Sequence, residues 1–180
     1  ARRAGKSPAG GTLLRLRDYK LDGQADEINR AAVEAARRGA GDRAYVSGSI
    51  GPSGKLLKPY GDLDPAELAD GYARQARTLA EAGVDLFCIE TMTDLEEARL
   101  AVAAARAAAP GAPVIATMTF EPTRRGFFTV MGVSIEKAAR GLAEAGADVV
   151  GSNCGNGVEA MTAIAREFRA RTTMPLAIQA

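Results

Sequence analysis

Three residues stand where a buried apolar run gives way to polar chemistry. Glu90 follows Phe87-Cys88-Ile89, and Asn153-Cys154 follows Val149-Val150-Gly151-Ser152. A carboxylate leaving a buried run needs a partner, because an uncompensated buried charge is costly. That partner is either a neighbouring arginine or a cationic group on a substrate. Cys154 lies in Gly151-Ser-Asn-Cys-Gly-Asn-Gly157, where glycines permit close backbone approach and unusual dihedrals. Its thiol reads as a small buried hydrophobe, a nucleophile or a thiolate metal ligand. Cys88, in the middle of its run, reads as core. The chain has no histidine, which removes a histidine base, a triad and an imidazole ligand. With one other thiol, poorly placed, these residues do not complete a metal site.

The elements that must position these residues follow from periodicity. Near-continuous apolar runs at 44–50, 84–89, 113–120, 147–152 and 175–180 suit parallel strands covered on both faces. Helical patterns fill 24–38, 64–83, 95–109, 134–146 and 158–171. Asp64-Pro65 is a cap followed by proline at the first helical position. Asp94 caps the next helix, with Glu96 and Glu97 in the first turn, where the helix dipole favours them. Alternating helices and strands imply a parallel sheet with helical crossovers. Leu79-Ala-Glu-Ala-Gly-Val-Asp85 recurs as Leu142-Ala-Glu-Ala-Gly-Ala-Asp148, 63 positions later, about two βα units apart. No GxGxxG follows a strand and there is no P-loop, so a (β/α)8 barrel leads over a nucleotide-binding sheet. In a barrel the chemistry sits at the carboxyl ends of the strands, where Glu90, Asn153 and Cys154 fall. No lysine ends a strand, which disfavours a Schiff-base aldolase.

Composition bounds the rest. At 180 residues and 47% hydrophobic, the chain suits one packed domain. A net charge of +1 gives no polyanion-binding surplus, so no nucleic-acid partner is expected. No apolar run is long enough for a membrane span. Two cysteines suit a reducing compartment, the cytoplasm. Residues 1–11 are basic, Gly-rich and aperiodic and read as a flexible end before a domain at 12–180. The chain stops inside its last strand pattern, so we expect a piece of a larger barrel with about five βα units.

Phe87-Cys-Ile-Glu-Thr-Met-Thr-Asp-Leu-Glu-Glu-Ala98, Val114-Ile-Ala-Thr-Met-Thr-Phe120, Gly151-Ser-Asn-Cys154 and Ser49-Ile-Gly-Pro-Ser-Gly-Lys55 together resemble the homocysteine S-methyltransferase family. The resemblance spans residues 12–180. It implies a (β/α)8 barrel that transfers a methyl group to the thiol of homocysteine, giving methionine. It also implies a zinc ion held by three cysteine thiolates. Carried over to this chain, Cys154 is one zinc ligand, Glu90 binds the amino group of homocysteine, and Asn153 is the neighbouring rim residue that contacts substrate. The other two cysteines of the set would lie beyond Ala180. A methyl-corrinoid, on a fused domain or a separate protein, is one implied methyl donor. The segment Arg124 to Gly132 departs from many members and lies where a donor approaches. Oligomerisation is left open. Two rivals stand beside this reading: a silent truncated barrel acting as an interaction module, and another barrel enzyme with a phosphorylated substrate.

Overall fold

The computed structural model describes residues 3–6 and 10–180. Six strands form one parallel sheet, in the order β1 (Arg3–Lys6), β2 (Ala44–Ile50), β3 (Leu86–Met92), β4 (Val114–Met118), β7 (Val149–Asn153) and β8 (Leu176–Gln179). Each strand lies beside its predecessor in the chain, interrupted only by the antiparallel hairpin of β5 (Glu121–Thr123) and β6 (Gly126–Phe128). A doubly wound sheet reverses its order at a switch point; this sheet never does, so it is an arc of a barrel. Helices α1 (Leu13–Arg17), α2 (Ala25–Ala40), α3 (Pro65–Glu81), α4 (Leu95–Ala108), α5 (Ile135–Glu144) and α6 (Val158–Arg171) complete the chain. Among the described residues no helix is long and apolar enough to cross a membrane.

The helix starts are local chemistry. Asp64 Oδ1 accepts the Ala66 N–H at 3.0 Å, Asp94 Oδ1 accepts that of Glu96 at 2.8 Å, and Ser134 Oγ accepts that of Lys137 at 3.3 Å. Each side chain thereby satisfies a donor that the first helical turn leaves unpaired. The core lies between helices and sheet, where Leu79, Phe87, Val102, Ala116, Leu142 and Ile164 have no accessible surface.

The sequence reading is amended in three places. The flexible end expected at 1–11 falls partly outside the described residues, but Arg3–Lys6 within it pairs in parallel with residues 44–47. That pairing uses backbone groups, which a basic composition does not reveal. The strand expected at 84–89 runs to Met92, so Glu90 lies within β3 rather than past its end. The strand expected at 113–120 ends at Met118, and a hairpin follows it.

The repeated heptapeptide has a structural cause. Asp85 Oδ2 accepts the Val46 N–H at 2.6 Å, while its own N–H donates to the Val46 carbonyl at 2.8 Å. Asp148 repeats the device on Val114, with both distances 2.8 Å. Each aspartate therefore locks the register of its strand to the one before, at the amino end of the sheet. Arg37 closes the first lock at 2.9 Å and Arg106 the second at 2.6 Å. The Val114 N–H holds the Asp148 carboxyl below its ordinary range; partial burial opposes this and Arg106 reinforces it. A depressed carboxylate stabilises the fold fully above its unfolded pKa of about 4, and that contribution disappears as pH falls through the folded value. Asp148→Asn should therefore lower the urea midpoint at neutral pH, and the gap to the parent protein should shrink as pH falls below about 4. A gap that does not change with pH would reject the charged lock.

Candidate active site

Strand register decides which residues share a face. A Cβ on Gly48 would meet Leu79 and Val84 at 3.2–3.3 Å, so that face of β2 is covered by α3 and the turn after it. Ser47 and Ser49 point the other way. Paired residues of parallel strands share a face, and the register runs Ser49–Cys88–Ile115–Val149 and Thr117–Gly151–Ala177. The inner face thus carries Ser49, Thr117 and Asn153 toward the carboxyl ends of the strands. All three are buried, at 0%, 2% and 2% exposure.

β3 is irregular where it matters. Ile89 pairs with Ala116 and Met92 with Met118, so Glu90 and Thr91 together oppose Thr117. This bulge breaks the strict in-out alternation of a strand. Thr91 takes a φ of +62°, which is rare for a β-branched residue. Cys154 has a φ of +61°. One side chain, Asn153, ties these two unusual conformations together. Its Oδ1 accepts the Thr91 N–H at 2.7 Å and the Thr117 hydroxyl at 2.8 Å. Its Nδ2 donates to Thr91 Oγ1 at 2.8 Å and to Cys154 Sγ at 3.3 Å. Both acceptor positions and both donors of the amide are thus engaged within the chain.

The Cys154 thiol is exposed at the rim, 4.0 Å from Thr91 Oγ1. Its backbone N–H donates to the Gln179 carbonyl at 3.0 Å, and Thr119 Oγ1 donates to the Asn153 carbonyl at 2.9 Å. The turn is therefore held from both neighbouring strands. Glu90 is 9% exposed, and the Ser49 hydroxyl donates to its Oε1. Cys88 is buried on the same inner face and free of disulfide.

Of the residues singled out from sequence, Glu90, Asn153 and Cys154 all reach one rim, linked through Thr91. Ser49, Thr91, Thr117 and Thr119 also belong to that rim, and the sequence alone gave them no role there. A signal existed: Ser47/Ser49 and Thr117/Thr119 are polar at alternate positions in otherwise apolar strands, marking one polar face. Among the described residues no three His, Cys, Asp or Glu side chains converge to hold a metal ion. Cys154 fits one ligand position: it is an accessible sulfur on a backbone anchored at both sides. The full set is not assembled here.

The chain is similar to known proteins over nearly its whole length. A family model described as homocysteine S-methyltransferase matches residues 8–180. A protein named methionine synthase from Mycobacterium tuberculosis is 30% identical over 179 residues, which cover 94% of this chain and 15% of that protein. Its namesake from Mycobacterium leprae is 27% identical, with 94% and 14% covered. The crystal structure of the homocysteine methyltransferase MmuM from Escherichia coli, metallated form, superposes with a TM-score of 0.79 at 22% identity, over 97% of this chain and 65% of that one. The oxidised form of that protein gives a TM-score of 0.76 at 19% identity. The chain thus spans a small part of the curated relatives and just under two thirds of the solved ones. The superposition supports the barrel arc deduced from strand order.

Proposed function

The chain belongs to the homocysteine S-methyltransferase family, and from that premise we propose that its rim binds homocysteine and presents the substrate thiol for methylation to methionine. The observation that carries this reading is the convergence of a buried carboxylate and an exposed thiol at one end of the inner face, bridged by Thr91 and Asn153.

Glu90 accepts the substrate ammonium group. Its carboxylate, which Ser49 helps to hold in place, supplies the negative charge that an ammonium group pairs with. Asn153 does not touch substrate in this reading, in contrast to the role that the family resemblance implies for it. Its amide is fully used inside the chain, so it orients Cys154 and Thr91. Cys154 contributes one thiolate to a zinc site; the remaining ligands belong to parts of the longer relatives that this chain does not span. Zinc in such a site lowers the pKa of a coordinated thiol and keeps the sulfur nucleophilic at neutral pH. In the transfer the new S–C bond forms as the bond from methyl to donor breaks, and the thiol proton leaves on substrate binding. A methyl-corrinoid domain or protein is the donor we favour. Its path passes the β5–β6 hairpin, where Arg125 lies over the Phe128 ring at 5.6 Å and Arg124 is exposed. The separation of a buried Cys88 from an exposed Cys154 suits a reducing, cytoplasmic setting.

Glu90→Gln in the natural protein tests the reading. Glutamine can still accept from Ser49 but carries no charge. A charged hydrogen bond is worth about 1.5–3 kcal/mol, so the KM for homocysteine should rise about 10–100-fold with kcat little changed. An unchanged KM would reject the ammonium role. Failure of the parent enzyme to bind homocysteine would reject the function.

A further inference from the structure

Glu97 is a buried carboxylate that the proposed chemistry does not use. It lies in the first turn of α4, where the helix dipole would favour it even if it pointed to solvent, as its exposed neighbour Glu96 does. Glu97 instead turns inward and is 4% exposed. Its Oε1 accepts the Ser53 backbone N–H at 2.7 Å and the Tyr72 hydroxyl at 2.9 Å. Tyr72 Oη also lies 3.1 Å from the Gly51 carbonyl. Neither donor is cationic. Burial, and then the nearby Glu97 charge, push the Tyr72 phenol well above its ordinary value, so it stays a proton donor.

Both Gly51 and Ser53 belong to the loop that leaves β2, directly after Ser49-Ile50. Ser49 is the residue that donates to Glu90. Two carboxylates seven positions apart, on either side of the β3–α4 turn, therefore grip the same short stretch. Glu90 holds it before the Gly51-Pro52 step and Glu97 behind it. A solvent-facing glutamate would serve the helix equally well and avoid the desolvation cost. The inward one supplies stronger, charge-assisted bonds to the first residues of the β2–α3 loop.

We propose that Glu97, acting through Ser53 and Tyr72, is a positioning residue that fixes the β2–α3 loop so that Ser49 holds the Glu90 carboxylate where homocysteine's ammonium group binds. This rests on the function proposed above, and the test separates the two. In the natural protein, Glu97→Gln should raise the KM for homocysteine about tenfold while kcat stays within about twofold, the loss expected for one charge-assisted bond. Ser49→Ala should raise it similarly, and the double variant should add little to either, because both act on one orientation. Hydrogen exchange at the Ser53 amide should quicken about tenfold in Glu97→Gln. Tyr72→Phe keeps the Ser53 bond and, should Glu97→Gln not fold, it carries the same KM test. A lowered melting temperature with unchanged KM overturns the proposal, as does full additivity with Ser49→Ala. If the parent enzyme does not bind homocysteine, the functional reading fails. The Ser53 exchange rate then decides the loop anchor by itself, and an unchanged rate overturns it.

Discussion

Cys154→Ala in the natural protein is expected to remove bound zinc and to lower kcat/KM for methyl transfer to homocysteine by well over about a hundredfold. Perturbing even the outer partners of metal ligands costs about 10–100-fold, and losing a ligand costs more. The change should be confined to chemistry. The Cys154 side chain is exposed, and its backbone is held by its N–H to Gln179, which alanine retains. The positive φ is no worse for alanine than for cysteine, so the melting temperature should move little. Cys88→Ala is the matched control. That thiol is 3% exposed in the core, so its loss should cost about 1 kcal/mol of stability or somewhat more and leave zinc content intact. Zinc measured by metal analysis and methionine formed by the variant decide the matter. A Cys154→Ala enzyme with normal zinc and normal turnover would end the assignment of this sulfur.

Gly151→Ala should have the largest effect on the fold. A Cβ at that position would sit 1.8 Å from the Ala177 carbonyl oxygen and 2.8 Å from its carbon. Both are backbone atoms of β8, so no side chain can rotate away to make room. Relief requires the β7–β8 pairing to open, and that pairing also carries Asn153 opposite Gln179. Overpacking a dense interior typically costs about 1–3 kcal/mol, and a clash with backbone belongs at or above that range. We expect insoluble protein or a urea midpoint lowered by an amount corresponding to at least about 3 kcal/mol. Gly39→Ala is the counterpart. A Cβ there meets nothing within 4 Å, inside α2. It should stabilise by about 0.5–1 kcal/mol, because alanine is the better helix former. A Gly151→Ala protein as stable as its parent would show that the two strands are not packed as described.

The order of βα units was legible from sequence because its determinants are local. Apolar runs, Asp64-Pro65 and Asp94 act through residues within a few positions of themselves, and these two expected caps bond as expected. The repeated heptapeptide was legible as a pattern but not as a device, since the amides that Asp85 and Asp148 capture belong to Val46 and Val114, more than thirty positions away. The β5–β6 hairpin and the β1 strand were missed. Both are short, and pairing rather than composition makes them strands.

For the rim the division is similar. Residue types and strand ends alone singled out Glu90, Asn153 and Cys154, because a carboxylate or thiol that closes a buried run is unusual wherever the chain goes. Which groups each of them meets was decided by cross-strand register. The extra residue in β3 sets Glu90 and Thr91 both against Thr117, and only then does Asn153 make four hydrogen bonds, to Thr91, Thr117 and Cys154, and become a brace. Likewise Glu97 looks like an ordinary first-turn glutamate until β2 is laid beside β3 and brings Ser53 to it. Local chemistry chose the elements and their polar ends. Pairing between strands tens of residues apart, which no short stretch encodes, assigned those ends their partners.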